Sequence, residues 1–125
     1  MRRPILLSVL FWLYPLTAIA MAVLAVRPDF ADADGVGIRV VFVVAATSTA
    51  AIGAGALTRR RWVPAVAVIL HALITAVALA GLVSRLIGAP LFSGGAPEFV
   101  GKSAVHAAMV LVWRCGAVRR HFAAS

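Results

Sequence analysis

The arginines of this chain are sorted by position, and that sorting constrains its fold more than any motif does. Four long apolar stretches, at about 5–26, 38–57, 62–87 and 99–118, alternate with short polar segments. Arg2 and Arg3 precede the first stretch. Arg59, Arg60 and Arg61 separate the second from the third, and Arg114, Arg119 and Arg120 close the fourth. No acidic residue lies near any of these places. The other two segments hold every acidic residue, Asp29, Asp32, Asp34 and Glu98, where they balance Arg27, Arg39, Arg85 and Lys102. Clusters of Lys and Arg mark the cytoplasmic side of a membrane. The alternation therefore predicts an all-α, four-transmembrane-helix antiparallel bundle with both ends cytoplasmic, N-in and C-in.

Composition agrees with a bilayer as solvent. Hydrophobic residues make up 63% of the chain and charged residues 13%, against about 25% charged in soluble domains. One small core has no room for so much apolar surface, so residues 1–125 are read as a single polytopic membrane domain. The excess of Arg over Lys, with abundant Ala and Val, points to a GC-rich bacterial genome and hence to the bacterial cytoplasmic (inner) membrane. A net charge of +8 raises nucleic acid as a partner. Here the charge is split into short juxtamembrane clusters without aromatic interleaving, so no nucleic acid is expected. Such clusters attract anionic headgroups, by about 1 kcal/mol per basic residue. Cys115 is the sole cysteine, which excludes an intrachain disulfide and a CxxC site. It is read as a small hydrophobe, with S-acylation at the membrane boundary as the competing role.

The first stretch, about 33 Å as a helix, is long enough for a hydrocarbon core of about 30 Å. A cleaved signal peptide competes, with Arg2-Arg3 before an apolar run and Ala18-Ile19-Ala20 as a small-residue site. The run continues to Val26, which favours a retained helix. Pro15 frees the carbonyl of Phe11 and is expected to kink this helix. In the following loop, Asp32-Ala33-Asp34-Gly35 matches part of a calcium loop. Phe30 stands where its first aspartate belongs and the closing glutamate is missing, so calcium binding is not expected.

The second stretch is small-sided. Ala46, Ala50 and Ala54 recur four apart, as do Thr49 and Gly53. Ala72, Ala76 and Ala80 repeat the pattern in the third. Small residues at this spacing let another helix approach closely, so Ala46, Ala50, Gly53, Ala72 and Ala76 are the expected helix-packing positions. In the third stretch Trp62 marks an interface and Pro64 falls in a first turn. The fourth carries Lys102, His106 and Arg114. Its two long cations can snorkel to opposite interfaces, and Glu98 precedes Lys102 by four, the favourable order. A re-entrant or surface-lying fourth segment is the alternative.

His71 is the leading candidate for chemistry. It lies about 13.5 Å from the cytoplasmic end of its span, near the midplane, and an intramembrane ionisable residue is a functional hypothesis by default. Tyr14, Ser48 or Thr49, and Thr75 reach similar depths, which predicts a midplane polar layer. His106 is placed somewhat higher, about 10 Å below the outer surface. Such a layer suits a proton-responsive or small-ligand site. Polar glue between helices, at about 0.6 kcal/mol per bond, is the simpler role and the one expected. A second candidate is an outer cationic ring of Arg39, Arg85 and Lys102. It would serve an anion, or, as expected here, consist of snorkelled cations paired with loop carboxylates.

Neither intramembrane histidine has a ligand partner at i+3 or i+4, so no metal and no cofactor is expected. No nucleophile–base set is present, and no span contains the embedded carboxylate that proton-driven exporters of this size use. The expectation is a non-enzyme: a non-catalytic accessory or self-associating bundle. The alternative is a small oligomeric transporter or channel with a path around His71. Its expected partners are anionic lipid at the cytoplasmic face and either another membrane protein or further copies of itself.

Overall fold

The computed structural model describes residues 5–26, 35–89, 91 and 94–123. Among them are five helices: α1 (Ile5–Ala25), α2 (Gly35–Leu57), α3 (Val63–Leu86), α4 (Ala96–Arg114) and α5 (Gly116–Ala123). They fall into two compact units, Met1–Arg60 and Arg61–Ser125. Asp32, Ala33 and Asp34 of the calcium-like loop and the first basic pair lie outside the described residues, while Gly35 opens α2.

In the first unit α1 packs on α2. Leu7, Leu10, Phe11 and Tyr14, spaced as one helical face, are buried on α1. Ile52 and Ala56 are buried on α2, with Gly53 between them. A Cβ at Gly53 would meet Tyr14 Cβ and Pro15 Cδ, each at 3.4 Å. α2 therefore passes close to α1 at the proline, with room for little more than a Cβ. α1 runs unbroken through Pro15.

The same unit ends on a strained residue. Arg60 N–H donates to Gly55 O at 2.8 Å and Arg59 N–H to Ala56 O at 3.2 Å. This is a Schellman closure, which needs a left-handed residue after the helix. Arg59 fills that position at φ 52°, where glycine is the usual occupant.

In the second unit α3 and α4 form an antiparallel hairpin. α3 closes as α2 does, with Ala89 N–H on Ser84 O at 2.9 Å and Gly88 N–H on Arg85 O at 3.1 Å. Here the left-handed position is Gly88, at φ 75°. The buried face of α3 is Val63, Ala67, His71, Ala78, Gly81 and Ser84. Phe99, 5% exposed, lies against Gly81, and a Cβ there would fall 2.6 Å from Phe99 Cε1.

The fourth apolar stretch is shorter than its sequence implies. Cys115 adopts extended backbone (φ −64°, ψ 147°) and stops α4 at Arg114 rather than near Val118. α5 then folds back, burying Val118 and Phe122, and the Phe122 ring lies 6.0 Å from that of Trp113. A glycine directly after Cys115 favours the break, because glycine is a poor helix former.

Three helical segments are long and apolar enough to cross a membrane: Leu7–Ala25, Arg39–Leu57 and Val63–Leu86. α4, with Glu98, Lys102, His106 and Arg114 in its 19 or so positions, is not among them. Large apolar side chains cover the outside, including Trp12, Leu16 and Ile19 on α1 and Ile69, Leu73 and Val77 on α3. That surface suits lipid rather than water.

Candidate functional site

The α3–α4 hairpin brings His71 and His106 together. His71 Nδ1 and His106 Nδ1 are 2.7 Å apart. Their ring centroids are 5.0 Å apart with the planes tilted by 33°. Only one Nδ1 can carry the proton of such a bond, so the two rings must be opposite tautomers. One imidazole donates through Nδ1–H and the other accepts. His71 is 6% exposed and His106 half-buried, so the bond is well shielded. Lys102, one turn before His106 on α4, is the nearest cationic neighbour along that helix.

This partner was not evident from depth counted inward from each surface, which placed His106 above His71. The hairpin register explains the difference. Phe99 packs on Gly81 near the turn and the two imidazoles meet further along the same hairpin, so the helices do not stand in the register that equal counting from the two surfaces assumes.

The hydroxyls expected beside His71 are committed to their own helices. Thr75 Oγ1 donates to the carbonyl of His71 itself at 2.8 Å. Thr49 Oγ1 donates to Ala45 O at 2.7 Å and to Ala46 O at 3.0 Å. Ser103 Oγ bonds Phe99 O and Ser84 Oγ bonds Gly81 O, both at 2.8 Å. Such back-bonding satisfies a hydroxyl in hydrocarbon without a second helix. Tyr14 is buried and Ser48 half-buried in the first unit. Between α3 and α4 the side-chain bond described is imidazole to imidazole.

The expected packing positions divide into two kinds. Gly53 is buried against Tyr14 and Pro15. Ala46 is half-buried, while Ala50, Ala72 and Ala76 are exposed. On α3 the buried small residues are Ala67, Ala78 and Gly81 instead, with Gly81 against Phe99 of α4.

Of the cationic ring, Arg39 lies half-buried on α2 in the first unit, and Arg85 is in the last turn of α3 in the second. Lys102 Nζ pairs with Glu98 Oε1 at i,i+4. Asp32 and Asp34 lie outside the described residues. Among the described residues no three His, Cys, Asp or Glu side chains converge to hold a metal, and Cys115 is a half-buried free thiol. Set beside known proteins, the chain matches no family model, no curated sequence and no solved structure.

Proposed function

We propose that this is a small polytopic protein of the bacterial cytoplasmic membrane that acts by contact, as an accessory subunit or a self-associating bundle, without catalysis. It crosses four times, with both ends in the cytoplasm. The fourth crossing is α4: its 19 residues rise about 28 Å, with Glu98 and Lys102 in its opening turns and Arg114 at its end. Charges so placed reach the two interfaces by snorkelling.

The observation that carries the contact role is the division of the small residues. Glycines close each hairpin internally, Gly53 on Tyr14 and Pro15, Gly81 on Phe99. The alanines at i,i+4, namely Ala50 and Ala54 on α2 and Ala72, Ala76 and Ala80 on α3, are all exposed. A hairpin needs no such stripe to fold. Flat small-residue stripes are the surface on which membrane helices associate, through close backbone approach.

Extraction from native membranes in mild detergent, followed by mass determination of the intact complex, tests this. A complex heavier than the single chain is expected, and Ala72→Leu/Ala76→Leu should dissolve it without unfolding the hairpin. A wild-type chain that leaves its membrane as a folded monomer would overturn the proposal.

The His71–His106 bond favours a second role, a small oligomeric channel or transporter that answers to protons. A proton added to the accepting Nδ1 removes the acceptor and makes that one ring a cation, against the charge of Lys102 one turn away. Proton-dependent flux in liposomes, abolished by His71→Ala, would support it. Flux unaffected by that change would exclude the pair as its path.

A further inference from the structure

His71 and His106 present the same nitrogen to each other across the α3–α4 hairpin. Their Nδ1 atoms are 2.7 Å apart and their ring centroids 5.0 Å apart. The difference is close to two imidazole ring radii, so each Nδ1 sits near the line joining the ring centres. Both Nδ1 lone-pair directions therefore converge on one point between the helices. A nitrogen pair aimed in this way holds one cation between its members: a proton, as in the hydrogen bond above, or a metal ion in its place.

A third donor stands beside the pair in sequence. No second imidazole, carboxylate or thiolate lies at i+3 or i+4 of either histidine, but a thioether does: Met109 follows His106 by three on α4, and both are half-buried. Residues three apart on a helix are neighbours, and a helical side chain covers the turn N-terminal to its own Cα. For Met109 that turn carries His106. The charge around this group then selects the ion. Glu98 is the sole acidic residue of Arg61–Ser125. It stands about 12 Å along α4 from His106 and pairs with Lys102. A dication held by neutral donors alone would set an unbalanced double charge between the helices, one turn from Lys102. Two imidazoles and a thioether also fall short of the four ligands of a structural zinc site. A soft monovalent ion avoids both costs, and thioether ligands select Cu(I).

We propose that His71, His106 and Met109 form a binding site for a soft monovalent metal ion of the Cu(I) class. The metal takes both Nδ1 lone pairs. The ring that donates in the hydrogen bond changes tautomer, its proton passing by exchange from Nδ1 to Nε2, so both rings stay neutral and no net proton is released. Metal–imidazole bonds of about 2.0 Å require the two Nδ1 atoms to part by about 1 Å, which the half-buried His106 supplies by turning its ring outward. The site lies within one hairpin and does not depend on what the exposed alanines of α2 and α3 meet.

The test is Cu(I) binding by the full chain in detergent micelles, without oxygen and with ascorbate, in competition with a chromogenic Cu(I) chelator. The wild type should take up Cu(I), and Cys115→Ser should keep that binding, because Cys115 is about 13.5 Å along the chain from His106. His71→Ala and His106→Ala should each lower the affinity on the order of a hundredfold, and Met109→Leu about tenfold. Because an alanine here also weakens the hairpin, titration of the isotope-labelled wild type with Ag(I) reads the ligands without a substitution. The Nδ1 resonances of His71 and His106 should shift together while those of His121 stay in place. Unchanged Cu(I) affinity in either histidine variant, loss of binding with Cys115→Ser, or silver shifts at His121 in place of the pair would overturn the site. Zn(II) bound as tightly as Cu(I) would overturn the soft monovalent class, and wild-type affinity in Met109→Leu would overturn the part given to the thioether. A wild type that yields all its Cu(I) to the chelator would overturn the proposal as a whole.

Discussion

Gly81→Ala should separate the α3–α4 hairpin from any looser arrangement of the same helices. The added Cβ would lie 2.6 Å from Phe99 Cε1, 2.8 Å from Cδ1 and 3.0 Å from Cζ. Carbon atoms in good contact sit about 3.5–4.0 Å apart, so the ring must retreat by roughly 1 Å. Phe99 is 5% exposed and has little space for that retreat. Overpacking of this kind costs about 1–3 kcal/mol. Replacing a helical glycine by alanine returns up to about 1 kcal/mol. The net loss should be about 1–2 kcal/mol. Gly101, on α4, is the internal control: a Cβ there meets nothing within 4 Å, so Gly101→Ala should gain about 0.5–1 kcal/mol. Gly53→Ala, with its nearest contacts at 3.4 Å, should fall between the two. Reversible unfolding in mixed micelles or steric trapping in bicelles would measure all three. Phe99→Leu in the Gly81→Ala background should recover part of the loss. If Gly81→Ala proves as stable as Gly101→Ala, Phe99 does not lie on Gly81 and the register that pairs the histidines is wrong.

Further outcomes follow from the same contacts. A double-mutant cycle on His71→Ala and His106→Ala should give a coupling of about 0.6 kcal/mol, with about 1.7 kcal/mol as the upper end for bonds between membrane helices; additive losses would deny the bond. Arg59→Gly should raise stability by about 1 kcal/mol, because a left-handed non-glycine residue is strained, and Gly88→Ala should lower it by a similar amount in the same unfolding assay. Thr49→Val and Thr75→Val should each stay within about 0.5 kcal/mol of wild type, since each hydroxyl bonds only its own helix carbonyls in the contacts described; a larger loss in thermal melts would reveal an interhelical role.

Much of the architecture was legible because the bilayer imposes it. Long apolar runs, punctuated by Arg clusters and by Pro-Asp or Gly-Pro segments, have no other economical fold, and α1 to α3 fall within a few residues of their expected bounds. The end of α4 was not legible. Val118 reads as one more apolar residue of a span, and only the extended backbone at Cys115 makes it the buried residue of a separate turn. The pairing of His71 with His106 was hidden for a related reason. Depth from the membrane surface treats each helix alone, whereas the hairpin register is set by Phe99 settling on Gly81. A count outward from the turn does not find it either, since His71 and His106 stand at unequal distances from the ends of α3 and α4. The small-residue stripes were visible as spacing, but spacing does not tell which face a helix turns inward. On α3 the inward face carries His71, Ala78 and Gly81, leaving Ala72 and Ala76 outside.

Those exposed alanines bear the central claim. A photo-crosslinking residue placed at Ala76, compared with one at exposed Val77 about 100° further round α3, and activated in native membranes, tests it directly. Contact through the stripe should give a discrete protein adduct, of this chain or of a constant partner, from position 76 and chiefly lipid adducts from position 77. Lipid adducts alone from both positions would contradict the claim that this protein works by contact.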